Sequence, residues 1–161
     1  MSTRIEADKL VTFRLGDDLF AADIFSVERV LRYTAPTSVP DIPAYIEGVM
    51  DYQGRVVPIV NLRRRFEMAP GEVKNDTRTL VLNVSGEWIG IVVDAVTEVS
   101  AFERKDVAPP PPLFRGLAGE YLKGILRRGE RLVILLDVDK LLSTNERISL
   151  QAAGSEVLAN G

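Results

Sequence analysis

The chain contains no cysteine and no histidine in 161 residues. Disulfides and thiolate metal sites are therefore impossible, which fits a reducing compartment. The missing histidine removes the usual general base, the Ser-His-Asp and Cys-His arrangements, and the commonest metal ligand. An enzyme built on this sequence would have to rely on carboxylates, lysine, tyrosine or an external cofactor. Positive charge is not in excess either. Twenty basic against 23 acidic residues give a net charge of −3, and with aromatics at only 7% this opposes a protein built to neutralise phosphates or stack bases. Long apolar runs are also absent. Ile89–Val93 and Leu132–Leu136 are strand-length, far short of the roughly 20 residues of a membrane-spanning helix. Met1–Leu10 carries Arg4, Glu6, Asp8 and Lys9 and so lacks the apolar core of a signal peptide. The expectation is a cytoplasmic protein without cofactor or metal, associated with a membrane only through a partner.

Repetition takes the place of such motifs. Phe13–Val30 aligns without a gap on Leu82–Val99, and Tyr45–Val49 returns as Tyr121–Ile125. Solenoid and propeller repeats come in three or more copies, because one unit cannot bury its own face. Two long copies point instead to two small subdomains packed together.

Each copy opens with a hairpin pattern, Leu10–Leu15 and Leu19–Ile24 around Gly16-Asp17-Asp18, and Thr79–Val84 and Trp88–Val93 around Ser85-Gly86-Glu87. A Val-x-x-Val stretch follows in both, Val27–Val30 and Val96–Val99. Its β-branched content favours strand over helix. Proline-bearing connections come next, Pro36–Pro43 and Pro109–Pro112, and proline excludes both from central strands. The tetraproline reads as a stiff linker ahead of a polyproline ligand. Leu113 and Phe114 beside it either tuck onto the core or meet a partner.

A second hairpin closes each copy, Tyr45–Met50 with Arg55–Val60, and Tyr121–Leu126 with Arg131–Leu136. Pro58 suggests an edge or bulge in the first of these. The turn Asp51–Gly54 looks one residue longer before its glycine than Arg127–Gly129. Asn61 and Asp137 end the hairpins as helix-capping residues. Ser143-Thr144-Asn145-Glu146 fits a capping box, so a helix is expected from about Thr144, interrupted at Gly154 and frayed over its last ten residues or so. The pattern as a whole suggests a mainly β fold of two small antiparallel barrels with short helices.

From about Lys9 to Leu142 the chain resembles the CheW family of bacterial chemotaxis coupling proteins, adaptors between chemoreceptors and the histidine kinase CheA. The resemblance is carried by Pro43-Ala44-Tyr45-Ile46-Glu47-Gly48-Val49, Gly54-Arg55-Val56-Val57-Pro58-Ile59-Val60-Asn61-Leu62-Arg63 and Gly90-Ile91-Val92-Val93-Asp94-Ala95-Val96. Val39-Pro40, Tyr121-Leu122-Lys123-Gly124 and Leu141-Leu142 fit too. It implies two SH3-like five-stranded antiparallel β-barrels sharing a hydrophobic core, with a C-terminal helix. The expected organisation is one domain over 9–142, made of a subdomain of about 9–70 plus the C-terminal helix and another of about 77–136, then a helix and tail over 143–161. The implied function is adaptor binding: a receptor's cytoplasmic tip in the groove between barrels, a kinase regulatory domain at barrel ends through residues left unassigned, and rings of like domains.

The family's Asn-Leu-Arg-Gly turn is Asp51-Tyr52-Gln53-Gly54 here, so its receptor-side arginine has become Gln53. A frequent family acid two residues after the first valine of Val-x-x-Val is Arg29. Both members of a plausible ion pair have changed. Three readings stand open: a receptor system with a different charge pattern, a new Arg29–Asp51 pair with function unchanged, or loss of the receptor contact. The candidate receptor-binding residues are Val27, Arg29, Val30, Gly48, Asp51, Gln53, Gly54 and Val57. Core burial competes with this role at the three valines. Gly48, Gly54, Gly90 and Gly124 are most simply needed at a turn, bulge or close approach, while Gly48 and Gly90 could also flatten the groove floor for a partner helix.

Two further readings belong to other classes. Arg63-Arg64-Arg65 and Arg127-Arg128 could serve a nucleic-acid-binding small barrel, against the plainer reading of a solvated helix end and turn. Asp94 and Asp137 could be paired catalytic carboxylates, but Asp137 has a capping role and no substrate motif lies near. Trp88 reads as core.

Overall fold

The computed structural model describes residues 8–114 and 116–160. Thirteen strands and two helices follow in order: β1 (Lys9–Leu15), β2 (Asp18–Asp23), β3 (Val27–Arg32), β4 (Ile46–Tyr52), β5 (Arg55–Asn61), α1 (Leu62–Arg65), β6 (Arg78–Val84), β7 (Glu87–Val93), β8 (Ala95–Ala101), β9 (Val107–Ala108), β10 (Leu113–Phe114), β11 (Leu117–Ala118), β12 (Leu122–Arg128), β13 (Arg131–Leu136) and α2 (Thr144–Asn160). They build two SH3-like barrels. One sheet runs β8, β1, β2, β13, β12, β9 and the other β3, β6, β7, β5, β4, with β10 and β11 as a separate small hairpin.

The repeat is real, but the barrels do not follow it. A division into 9–70 and 77–136 would keep each copy's strands together, whereas the sheets exchange them. The hairpin β1–β2 joins β8, β12 and β13, and the hairpin β6–β7 joins β3, β4 and β5. The cause lies in the connections: the chain crosses to the other sheet through the 3-10 turn Ile24–Ser26 after β2, and through the single residue Asp94 after β7. Each barrel therefore takes its first hairpin from one copy and its other strands from the second. The registers match residue by residue. Val27 pairs with Leu82 as Val96 pairs with Phe13, and Leu31 with Thr79 as Ser100 with Leu10. Even the bulges recur, at the Val27/Arg29 and Ile46/Gly48 steps in one barrel and at Thr12/Phe13 and Leu122/Gly124 in the other.

Pairing is antiparallel except for one contact per barrel, β13 with β2 and β5 with β7, both parallel. Pro58 lies on an inner strand. Val49 opposite it gives its N–H and C=O to Thr37 (2.9 and 2.8 Å), and pairing with β7 starts only at Ile59, so the missing N–H costs no ladder bond. The bridge Thr37–Val49 closes the five-stranded barrel where Ala108–Ile125 closes the other. Closure is why Gly48 must be glycine: its φ is +153°, and a Cβ would stand 2.2 Å from the Thr37 carbonyl oxygen. The equivalent Gly124 is tight as well: a Cβ there would stand 2.3 Å from Val107 Cγ1 and 2.6 Å from the Ala108 oxygen.

Alternation assigns the apolar residues to three clusters. Phe13, Phe20, Leu80, Leu82, Ile89, Ile91, Ile134 and Leu136 belong to the core between the sheets. Leu10, Ala21, Leu126, Val133 and Leu135 fill the six-stranded barrel, and Val57, Ile59, Val81 and Trp88 fill the other. Full burial of each large aliphatic or aromatic chain contributes roughly 1.5–3 kcal/mol.

The capping box forms as expected, with Ser143 N–H on Glu146 Oε1 (2.7 Å) and Glu146 N–H on Ser143 Oγ (3.1 Å). The helix then runs unbroken through Gly154. Gly154 is a contact point rather than an interruption: a Cβ there would lie 2.7 Å from Val56 Cγ1 and 2.9 Å from Val49 Cγ1. Its absence lets α2 lie directly on β4 and β5, where Gln151 Nε2 also donates to the Val56 carbonyl (2.6 Å).

Candidate functional site

The candidate residues fall in two places. Val27, Arg29 and Val30 lie on β3, an edge strand of the five-stranded sheet, while Gly48, Asp51, Gln53, Gly54 and Val57 lie on or beside the β4–β5 hairpin at the opposite edge. Past β3 the two edges meet through Tyr33 OH donating to Glu47 (3.0 Å) and the Thr37–Val49 bridge. On β3, Val27 is half-buried against the shared core, Val30 is 42% exposed and Arg29 is exposed. The strand thus carries its two valines on the face of Leu80 and Leu82 and Arg29 on the opposite face with Val81, and Arg29 has no ion pair among the described residues.

The hairpin does not offer what the sequence suggested. Val57 is fully buried inside the barrel, and Gly48 is buried beneath Thr37. Neither presents a surface. Asp51 is occupied within its own turn, where Oδ1 accepts the Gly54 N–H (3.0 Å). No Arg29–Asp51 pair forms, so that reading falls. Gln53 (φ +51°) and Gly54 (φ +77°) are both left-handed, making a two-residue hairpin turn of the kind that follows strand twist. The β12–β13 turn also spans two residues, between Arg128 and Arg131. The expected difference in length is a difference in where glycine stands.

The turn is braced from below. Gln53 Nε2 donates to Tyr52 OH (3.3 Å), Tyr52 packs on Trp88 at 5.3 Å between ring centroids, and Arg55 lies 3.9 Å over the same indole while donating to the Gly86 carbonyl (2.8 Å). Trp88 is core, as its repeat position implied.

Two charged clusters escaped the sequence reading. Asp94 Oδ2 accepts from the Gly16 N–H (2.8 Å) and from Arg63 Nη2 (2.7 Å), with Arg14 3.9 Å away. It ties the β1–β2 turn of one barrel to the helix that follows β5 of the other. Around Arg65, the guanidinium lies 4.0 Å over Tyr45 and 5.5 Å from Tyr121, which are repeat equivalents, and pairs with Glu146 (3.3 Å). Tyr45 OH also donates to Glu146. Burial pushes the Glu146 carboxyl up, but the Ser143 N–H, the Tyr45 hydroxyl and the Arg65 charge outweigh it and hold it below the usual carboxylate range. Burial and the Glu146 carboxylate push the Tyr45 phenol up. Only the capping box was visible in advance, because nothing in the sequence tells which strand ends the folded chain brings together.

Contacts within the chain also engage four of the five arginines of the supposed nucleic-acid patch, all but the exposed Arg127, and both acids of the supposed catalytic pair. Arg63 serves Asp94, Arg64 donates to the Ala44 carbonyl (3.0 Å), Arg65 serves Glu146, and Arg128 donates to the Ala101 carbonyl (2.6 Å). Asp94 is an ion-pair acceptor, and Asp137 caps the 3-10 turn that follows it. No group of metal-binding side chains occurs among the described residues, and none of their helices is long and apolar enough to cross a membrane.

Residues 9–146 match the family model described as CheW-like domain. The chain belongs to the CheW-like family. It is 33% identical over 150 residues to the chemotaxis protein CheW of Treponema pallidum, covering 91% of this chain and 88% of that one. The CheW of Klebsiella aerogenes is 36% identical over 138 residues, with 86% and 83% covered. Among solved structures, the scaffolding protein TtCheW from Thermoanaerobacter tengcongensis superposes with a TM-score of 0.81 at 28% identity, over 87% of this chain and 90% of that one. The CheW fold and relatives make this a chemotaxis adaptor of scaffold type, without enzymatic activity, and lend nothing to a nucleic-acid role.

Proposed function

We propose that the protein couples the cytoplasmic tip of a chemoreceptor to the regulatory domain of a CheA-type kinase, in the cytoplasm at membrane-associated receptor arrays. The receptor helix lies along β3, with Val27 and Val30 against its apolar stripe and Arg29 facing an acidic side chain. The observation that carries this reading is an edge strand with the free Arg29 on one face and the half-exposed Val30 on the other, so that a helix laid along the edge reaches both. A lone cation on an edge strand favours a partner carboxylate and penalises a partner cation, which is how charge sets specificity. Asp51, Gln53 and Gly54 shape the neighbouring turn, whose polar groups are internally engaged. Kinase contact falls to the barrel ends, and like domains assemble with it in rings. Receptor state reaches the kinase only if these contacts differ between the on and off arrangements.

The test is a charge exchange. Arg29→Glu should weaken binding of a receptor-tip coiled coil by about tenfold or more and leave kinase-domain binding unchanged, since a charge-assisted contact carries about 1.5–3 kcal/mol. Arg29→Glu with Gln53→Arg restores the family charge pattern and should change which receptor is preferred. Unchanged receptor affinity and choice in both variants would show that β3 is not the receptor strand.

A further inference from the structure

The exact correspondence of the two barrels lets their interiors be compared position by position, and they end differently at one mouth. In the five-stranded barrel Tyr33 OH donates to Glu47 across the opening (3.0 Å), and Leu31 packs beneath. The equivalent residues of the six-stranded barrel are Phe102, Lys123 and Ser100. Phe102 has no hydroxyl to give and Lys123 has no acceptor to offer, so the bridge cannot form. A cavity of about 380 Å³ opens there instead.

Its floor is apolar, made by Leu10, Phe102, Val107 and Leu135. Three charges stand at the rim, Asp23, Arg104 and Lys123. Arg104 is spoken for: its Nε and Nη2 reach both oxygens of Asp8 (3.0 and 3.3 Å), and Asp23 adds to the field that favours its charge. Asp23 Oδ1 accepts the Phe25 N–H (2.9 Å). Lys123 alone is exposed with neither ion pair nor hydrogen bond among the described residues. The volume falls within the roughly 300–1,000 Å³ of small-molecule sites, which combine apolar walls with few polar groups.

We propose that this mouth binds a small monocarboxylate with an apolar tail, the tail on the Leu10–Leu135 floor and the carboxylate on Lys123. The ligand would reach a scaffold otherwise known for protein contacts, on the barrel opposite to β3.

Decanoate titrated into the isotope-labelled full chain, with 1-decanol as the uncharged control, tests it by amide chemical shifts. Saturable shifts confined to the six-stranded barrel are expected, with decanol binding about tenfold or more weakly, as for loss of one charged contact. Lys123→Glu should reproduce that loss. Phe102→Tyr with Lys123→Glu rebuilds the Tyr33–Glu47 bridge and should abolish binding. Shifts that never saturate, that spread over both barrels, or that survive Lys123→Glu undiminished would overturn the proposal. Because Lys123 is exposed, that variant folds whatever the larger changes do.

Discussion

Asp94 gathers the Gly16 amide and the Arg63 guanidinium on one oxygen, and its place as the only residue between β7 and β8 puts it where the chain changes barrels. The Arg63–Asp94 pair is largely shielded, 19% and 21% exposed, so it is worth more than a surface ion pair. Asp94→Ala is expected to cost about 1.5–3 kcal/mol, read from the urea midpoint, with Asp94→Asn milder because one acceptor survives. Its role was invisible in sequence, where Asp94 offered only a disfavoured reading as one of two paired catalytic carboxylates. The Arg65 cluster makes a second prediction, through pH. The Glu146 value is lowered on folding, so its contribution is complete above the ordinary carboxylate value of about 4.3 and is lost as pH falls through the lower folded value. Glu146→Gln should therefore flatten the acid limb of stability in urea titrations between about pH 3 and 7. Tyr33 and Tyr45 run the other way: burial first, and then Glu47 or Glu146, raise their values. Their contribution is whole below about pH 10 and lost as pH rises through the higher folded values, which tyrosine absorbance near 295 nm would follow.

Hairpins, their turns, the capping residues Asn61 and Asp137 and the capping box at Ser143 were all legible, because each depends on chemistry within a few residues. What could not be read were contacts between elements distant in the chain. Gly154 has the signature of a helix break, yet it is where α2 touches Val49 and Val56. Gly154→Val is expected to lift the helix from β4–β5, with a loss of about 1–3 kcal/mol and faster amide exchange across residues 150–160 than in the barrels. Gly48→Ala should be more damaging, more than about 3 kcal/mol, because the methyl would meet the Thr37 carbonyl rather than a yielding side chain. Val57 teaches the same lesson from the other side. In sequence, core burial and a partner role competed there, and only the barrel's closure, which leaves Val57 fully buried, settles which.

Duplication of the whole chain was evident from Tyr45–Val49 and Tyr121–Ile125, but the exchange of hairpins was not, since a repeat in sequence carries no record of which copy a strand pairs with. That exchange makes the two barrels one cooperative unit, each lacking a hairpin without the other copy, so a single unfolding transition is expected. It also gives two nearly equivalent barrels that can diverge in what they bind: β3 with its free Arg29 on one, and the open mouth at Lys123 on the other. The adaptor reading stands or falls on simultaneous binding. Purified receptor-tip coiled coil, kinase regulatory domain and this protein, mixed at micromolar concentrations and resolved by sedimentation, should form a ternary complex that neither partner forms without it; if neither partner binds the chain under those conditions, the coupling role is wrong.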